Sequence, residues 1–338
     1  MAAIPARALG KSGVSVSALG FGSAPLGELY ARLDEAQAQG TLAAALAGGM
    51  TLVDSSPLYG HGLAEHRIGA ALRLVPAVKP TLCTKVGRVA DPRQPRGRDS
   101  GYVGGLPHAL AFDYSYDGAM RSIEQSLLRL GVDRLDIVLI HDVDVWTHGA
   151  AAIETRFAQA VTGAYKALDR LRADGTISAV GVGVNESAMC VRFAQACDID
   201  CVLLAGRYTL LEQPAARDFL PLALARNIGV MLGGVFNSGI LATGAVAGAK
   251  YNYQPAPPDI LAKVEKLDAA CRRHGVKLFD AALRFAMSHP AVASVVLGAV
   301  APAEVAAQIA SLDAAIPRDL WHTLKAEGLL AADAPVPA

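Results

Sequence analysis

The chain has 338 residues, 52% of them hydrophobic and 18% charged, a larger apolar share than a disordered segment carries. Its 31 Lys and Arg balance 31 Asp and Glu, so no net field gathers nucleic acid or an acidic membrane surface, and neither is expected as a partner. The opening residues lack a basic stretch followed by an apolar core, and no apolar run reaches spanning length without Gly or a charge. A cytoplasmic location is the expectation.

In chain order, residues 7–9 and 14–16 flank Gly10-Lys11-Ser12-Gly13 and predict a small hairpin suited to plugging one mouth of a larger fold. A strand over 18–22 leads to a helix over 35–47, and a strand over 51–55 to a helix over 64–72. The strand over 81–86 is followed by a Gly-, Pro- and Arg-rich excursion, 87–113, too long for a plain connection and placed to act as a lid. A helix over 116–130 precedes the strand 135–141 and a second excursion, 142–155. Helices over 156–173, 187–196 and 215–225 then alternate with strands over 179–184, 201–205 and 229–235. Helical patterns over 259–274 and 279–289, a strand over 294–298 and a helix over 303–312 complete the series.

Eight apolar strands separated by helices predict one domain over residues 1–338, an α/β fold with parallel strands covered on both faces and closed into a (β/α)8 TIM barrel. An open doubly wound sheet would bind dinucleotide through G-x-G-x-x-G after the first strand. Gly20-Phe21-Gly22-Ser23-Ala24-Pro25 lacks the third glycine, which favours the barrel. Cys83, Cys190, Cys197, Cys201 and Cys271 contain no C-x-x-C pair and read as reduced core thiols.

In a barrel, function sits at the C-terminal ends of the strands. Asp54 ends strand two, Tyr59 lies just beyond it, Lys85 ends strand three and His141 ends strand four. Neighbouring parallel strands run roughly 5 Å apart, so these four side chains can meet over the axis. Their types suit hydride chemistry at a carbonyl or carbinol, which needs a proton moved to or from the substrate oxygen. Tyr59 is the candidate for that proton, with Lys85 expected to acidify the phenol, Asp54 to hold Lys85, and His141 to hydrogen-bond the substrate oxygen. The plainer reading is a barrel-end ion pair beside a loop tyrosine, and four such groups at successive strand ends argue against it.

Val53-Asp54-Ser55-Ser56-Pro57-Leu58-Tyr59-Gly60, Cys83-Thr84-Lys85-Val86 and Ile137-Val138-Leu139-Ile140-His141 resemble the aldo-keto reductase superfamily over nearly the whole chain. Phe112-Asp113-Tyr114-Ser115-Tyr116-Asp117-Gly118, His141-Asp142-Val143-Asp144, Leu204-Ala205-Gly206-Arg207-Tyr208-Thr209-Leu210 and Lys250-Tyr251-Asn252-Tyr253-Gln254-Pro255 are similar to the branch holding D-threo-aldose 1-dehydrogenases, L-fucose dehydrogenases and pyridoxal 4-dehydrogenases. The resemblance implies the barrel, the tetrad Asp54, Tyr59, Lys85 and His141, and a nicotinamide cofactor bound without a Rossmann motif. It implies cofactor contacts from Gly22, from Asn185, from the loop Gly234, Phe236, Asn237, Ser238 and Gly239 around the pyrophosphate, and from Gly298, Glu304 and Gln308 around the adenosine. An acidic Glu304 where a basic residue usually meets a 2′-phosphate implies NAD, with NADP possible.

The carry-over has gaps. Ala205 stands where the family has Gln, and Gly233 where an aromatic usually stacks on the nicotinamide, which leaves Phe236 as a substitute. Tyr114 and Trp146 are expected to wall the substrate pocket. His141, Asp142, Asp144 and His148 are spaced for no common metal site, so no metal is expected. The leading expectation is oxidation of an aldose hemiacetal to its lactone. Pyridoxal oxidation or general aldehyde reduction is the alternative. A Schiff-base Lys85 and a nicotinamide-binding redox sensor without turnover stand as rival classes. Oligomeric state is not legible.

Overall fold

The computed structural model describes residues 3–75, 78–97 and 101–337. Eight parallel strands close into a barrel: β1 (Leu19–Gly22), β2 (Leu52–Asp54), β3 (Thr81–Val86), β4 (Ile137–His141), β5 (Ala179–Val184), β6 (Cys201–Ala205), β7 (Gly229–Gly233) and β8 (Val292–Gly298). Each pairs with its sequence neighbour, and β8 pairs with β1 to complete the ring. The helices lie outside, where the outward-facing residues of every strand are buried against them.

Side-chain alternation along the strands determines what faces the axis. Leu52, Cys83, Ile137, Leu139, Ala179, Cys201, Leu203 and Met231 pack together inside the barrel. Two residues beyond Leu52, Cys83 and Leu139 come Asp54, Lys85 and His141, which therefore also point inward, at the C-terminal mouth. Leu9 and Val16 join the same interior cluster from the N-terminal side, where Ala6–Ala8 pairs antiparallel with Ser15–Ser17. The predicted hairpin is thus the plug of that mouth, with strands one residue displaced from the expected positions.

Other boundaries differ for local reasons. β4 begins at Ile137 because the Asp136 carboxylate accepts the Leu82 N–H at 2.8 Å, beside the ladder. β7 stops at Gly233 because Gly234 turns left-handed (φ 61°). The helix expected over 156–173 is divided into Ile153–Gln159, a π turn at Ala160–Ala164 and Tyr165–Ala173. The wide turn accommodates the Tyr114 carbonyl, which accepts from Ala164 N at 2.8 Å and lies where a Gly163 Cβ would stand. The helix expected over 215–225 starts only at Phe219, after a short turn at Pro214–Ala216. A further helix, Arg318–Ala326, buries Trp321 and was not expected.

All five cysteines are buried and unpaired. The first excursion folds as a hairpin of Arg88–Pro95 against His108–Phe112, although its residues 98–100 lie outside the described residues. Among the described residues, no helix is long and apolar enough to cross a membrane.

Candidate active site

Lys85 is the hub of the mouth. Its ammonium donates to Asp54 Oδ1 at 2.7 Å, Asp54 Oδ2 at 2.8 Å, the Ser55 carbonyl at 2.7 Å and the Tyr59 hydroxyl at 3.2 Å. Asp54 and Lys85 are both buried. Burial pushes the Asp54 carboxyl up, and the adjacent ammonium pulls it back. Surrounded by acceptors, the Lys85 nitrogen is a donor rather than a nucleophile, which removes the geometry a Schiff-base lysine needs.

Tyr59 comes from the loop after β2. Its position depends on Gly60, whose φ of 61° and missing Cβ let the chain press against Gly27 of the loop after β1. The Gly60 carbonyl also accepts from Leu106 N at 2.9 Å, so the first excursion docks on the same residue. Tyr102 of that excursion brings its ring to 6.5 Å from the Tyr59 ring.

The expected acidification of Tyr59 by Lys85 is not what the geometry supports. Burial, followed by the Asp54 and Asp142 carboxylates, pushes the phenol well above the usual tyrosine range. An ammonium has three protons, and two oxygens of Asp54 and one of Ser55 lie closer to it than the phenol does. The cation is matched before Tyr59 is reached, so Tyr59 is a phenol at neutral pH.

His141 faces Tyr59 edge-on at 6.1 Å between ring centres. Its Nδ1 lies 3.0 Å from Ser56 Oγ and 3.3 Å from Arg88 Nη1, while Nε2 lies 3.4 Å from Asp142 Oδ1. Burial, then Arg88 and Lys85, holds the imidazole well below the usual histidine range, so it is neutral. Arg88 also pairs with Asp142 at 2.8 Å. Neither residue was singled out as a site residue from the sequence, and Arg88 is one of several arginines in its segment. The φ of 55° at Asp142 is a conformation that a non-glycine residue seldom adopts, and no sequence pattern signals it.

A cavity of about 580 Å³ opens above these groups, lined by Tyr59, Lys85, His141, Asp142, Asn185 and further aromatic or polar side chains of the loops, among them Tyr102, Trp146 and Tyr253. A second cavity of about 550 Å³ is lined by Gly234, Phe236, Ser238, Gly239, Gly298, Glu304 and Gln308. Tyr30 borders both, and Asn237 lines a small crevice between loops beside them. The predicted cofactor residues therefore gather along one elongated groove, with one exception. Gly22 is buried beside Asp54 in the barrel and lines neither cavity, although a Cβ there would stand 3.0 Å from Val296. Phe236 lines the second cavity and stacks on Phe279 at 4.7 Å, so it is not the expected substitute beside Tyr59 and His141.

The groove fits a dinucleotide. Gly234, Asn237, Ser238 and Gly239 all have positive φ, which curls the loop after β7 into a concave backbone surface. The buried oxygens Asn237 Oδ1 and Gln308 Oε1 lack partners among the described residues. Glu304 accepts the Val300 N–H at 2.9 Å from the first turn of the helix Pro302–Ala310.

Tyr114 does not wall the cavity above Lys85 and His141. It is buried, donates to the His141 carbonyl at 2.8 Å and meets His148 Nε2 at 2.9 Å, so it props β4 from behind. Trp146 does line the cavity above Lys85 and His141, held there because Glu186 accepts the Val145 and Trp146 N–H groups. Asp144 is taken up by Thr147 N and Asn185.

A closed eight-stranded barrel with this groove across its C-terminal mouth defines a class of nicotinamide-dependent oxidoreductases. The chain belongs to the aldo/keto reductase family, whose model matches residues 18–327. It is 40% identical to a pyridoxal 4-dehydrogenase of Microbacterium luteolum over 96% of this chain and 97% of that one. It is 35% identical to a D-threo-aldose 1-dehydrogenase of a Pseudomonas species over 93% and 94%. Among solved structures, an aldo-keto reductase of Bacillus halodurans in its holo form superposes with a TM-score of 0.75 at 23% identity, covering 97% of each chain.

Proposed function

We propose that this enzyme oxidises the carbinol of a cyclic hemiacetal to a lactone, using NAD, and that its substrate is a flat ring of the pyridoxal type. The observation that carries the substrate class is the aromatic lining of the catalytic cavity: Tyr30, Tyr59, Tyr102, Trp146 and Tyr253 surround the space beside His141. Such walls favour a planar heteroaromatic ring through stacking. The relative at 40% identity bears a matching name. Aldoses are the second reading, favoured by Asp142 and Asn185, which offer hydrogen bonds to ring hydroxyls from the same cavity.

When bound, oxidised nicotinamide supplies the hydride acceptor and a positive charge at the mouth. Residues of the groove would hold it: Asn185 toward the carboxamide, the 234–239 loop at the pyrophosphate, and Glu304 with Gln308 at the adenosine. In this reading Tyr59 accepts the hydroxyl proton as the carbon loses its hydride, and the substrate C–O bond becomes the lactone carbonyl. The His141 Nε2–H donates to the same oxygen, and the buried Asp54–Lys85 pair fixes the phenol. Run backwards, Tyr59 gives the proton to a carbonyl. The carboxylate of Glu304 would repel a 2′-phosphate, which supports NAD over NADP.

The test is an absorbance assay at the reduced-nicotinamide band with NAD or NADP and a panel of pyridoxal, L-fucose, L-galactose and D-arabinose. Pyridoxal should give the highest kcat/KM, with lactone as product. Higher kcat/KM for a sugar would transfer the assignment to the aldoses. Cofactor binding without turnover of any of them would point to a redox-sensing role.

A further inference from the structure

The geometry points to Arg88 as the positioning residue that holds His141 in its Nε2–H tautomer. The inference rests on His141 acting as the hydrogen-bond donor proposed above. It gives a physical reason for the excursion after β3, whose first strand begins with this arginine.

The chain leaves β3 through Gly87, at φ 108°, where any Cβ would strike the Tyr114 ring at 2.4 Å. Arg88 is thereby turned back beneath the catalytic histidine. It is buried, its carbonyl accepts from Ser122 Oγ at 2.9 Å, and its guanidinium stacks 4.4 Å from the Phe112 ring centre. One end of the fork lies 3.3 Å from His141 Nδ1 and the other 2.8 Å from Asp142 Oδ2.

A guanidinium has donors only. An imidazole nitrogen facing it must accept, so the ring proton belongs on Nε2, the nitrogen beside Asp142. Ser56 Oγ accepts from Leu58 N at 3.1 Å and keeps its own proton for the same Nδ1. The other groups facing His141 are the Lys85 ammonium, the Tyr59 phenol and the Asp142 carboxylate. Asp142 alone would draw a proton onto the ring, and Arg88 neutralises it. One fork thus fills Nδ1 and offsets the Asp142 carboxylate that favours imidazolium. A lysine, with a single point of charge, cannot do both in this geometry.

The test is nitrogen-15 NMR of the full chain labelled at histidine, with His141→Gln identifying the resonances, beside kinetics of Arg88→Met and Arg88→Lys. In the unaltered protein, Nδ1 should remain unprotonated and Nε2 protonated from about pH 5.5 to 8. Arg88→Met should mix the tautomers and add an acid limb to kcat/KM for pyridoxal. It should lower kcat roughly ten- to a hundredfold, with cofactor binding by fluorescence unchanged. Arg88→Lys should recover part of the rate while leaving the tautomers mixed.

A protonated Nδ1 in the unaltered protein overturns the assignment, as does a folded Arg88→Met that keeps the original spectrum and pH profile. The spectrum of the unaltered protein decides alone if Arg88→Met does not fold. It also reads the tautomer whether or not any hemiacetal is turned over, so failure of the proposed function is seen separately.

Discussion

Lys85 holds Asp54 more closely than it holds Tyr59: the ammonium lies 2.7 and 2.8 Å from the two carboxylate oxygens and 3.2 Å from the phenol. The cation of the site is therefore already balanced, and its main effect on Tyr59 is to fix the hydroxyl's position. Every expectation about the proton step follows from that order of distances.

The pH dependence should differ with direction. Reduction needs the protonated phenol, which is present below its pKa. Oxidation needs the phenolate, which gains population only as pH approaches a value raised above the ordinary figure of about 10. Oxidation kcat should thus climb through the alkaline range while aldehyde reduction persists from neutral pH upward until the phenol titrates. Profiles of both directions at saturating cofactor check this, and an oxidation plateau reached near neutrality contradicts it.

Tyr59→Phe keeps the ring and removes the transferable proton. Turnover should fall by roughly a hundred- to ten-thousand-fold while cofactor affinity, followed by fluorescence quenching, stays within about twofold.

Lys85→Met leaves the Asp54 carboxylate buried without its counter-ion. The loss of stability should be about 3–5 kcal/mol in urea unfolding, and Asp54→Asn in the same chain should recover much of it. Additive losses from the two substitutions would show that the buried pair is not energetically coupled.

Tyr114 and Trp146 should separate cleanly in kinetics. Tyr114→Phe deletes a hydroxyl that props the His141 carbonyl, so it should cost about 1 kcal/mol of stability and leave the substrate KM nearly unchanged. Trp146→Ala removes a cavity wall, and its KM should rise several-fold at similar stability. The opposite pattern would restore Tyr114 as a substrate contact.

Glu304→Lys replaces an exposed carboxylate at the second cavity with a cation. Relative kcat/KM should move toward NADP by about tenfold, or ~1.4 kcal/mol. An unchanged preference would place the 2′ position of the cofactor elsewhere.

Much of the site was legible because a strand's side chains alternate with period two. Leu52, Cys83 and Leu139 face the barrel interior, so Asp54, Lys85 and His141 must do so as well, at the end where the strands finish. The hairpin plug could be read in the same way, from turn residues between two short apolar runs. The excursions carried no such rule. Tyr102 and Asp142 reach the cavity, and Arg88 reaches His141, through positive-φ turns and a docked hairpin, while Tyr114 lies at the back of β4, all through contacts between segments distant in sequence.

Local pattern alone determined the barrel, the inward set and the residue types suited to moving a proton with a hydride. Tertiary structure decided the electrostatics, because the acidity of Tyr59 and His141 depends on how much water they lose and which charges stand nearest. It also decided which loop aromatics form the cavity, since loops have no periodicity to assign their faces and are placed only by what they pack against.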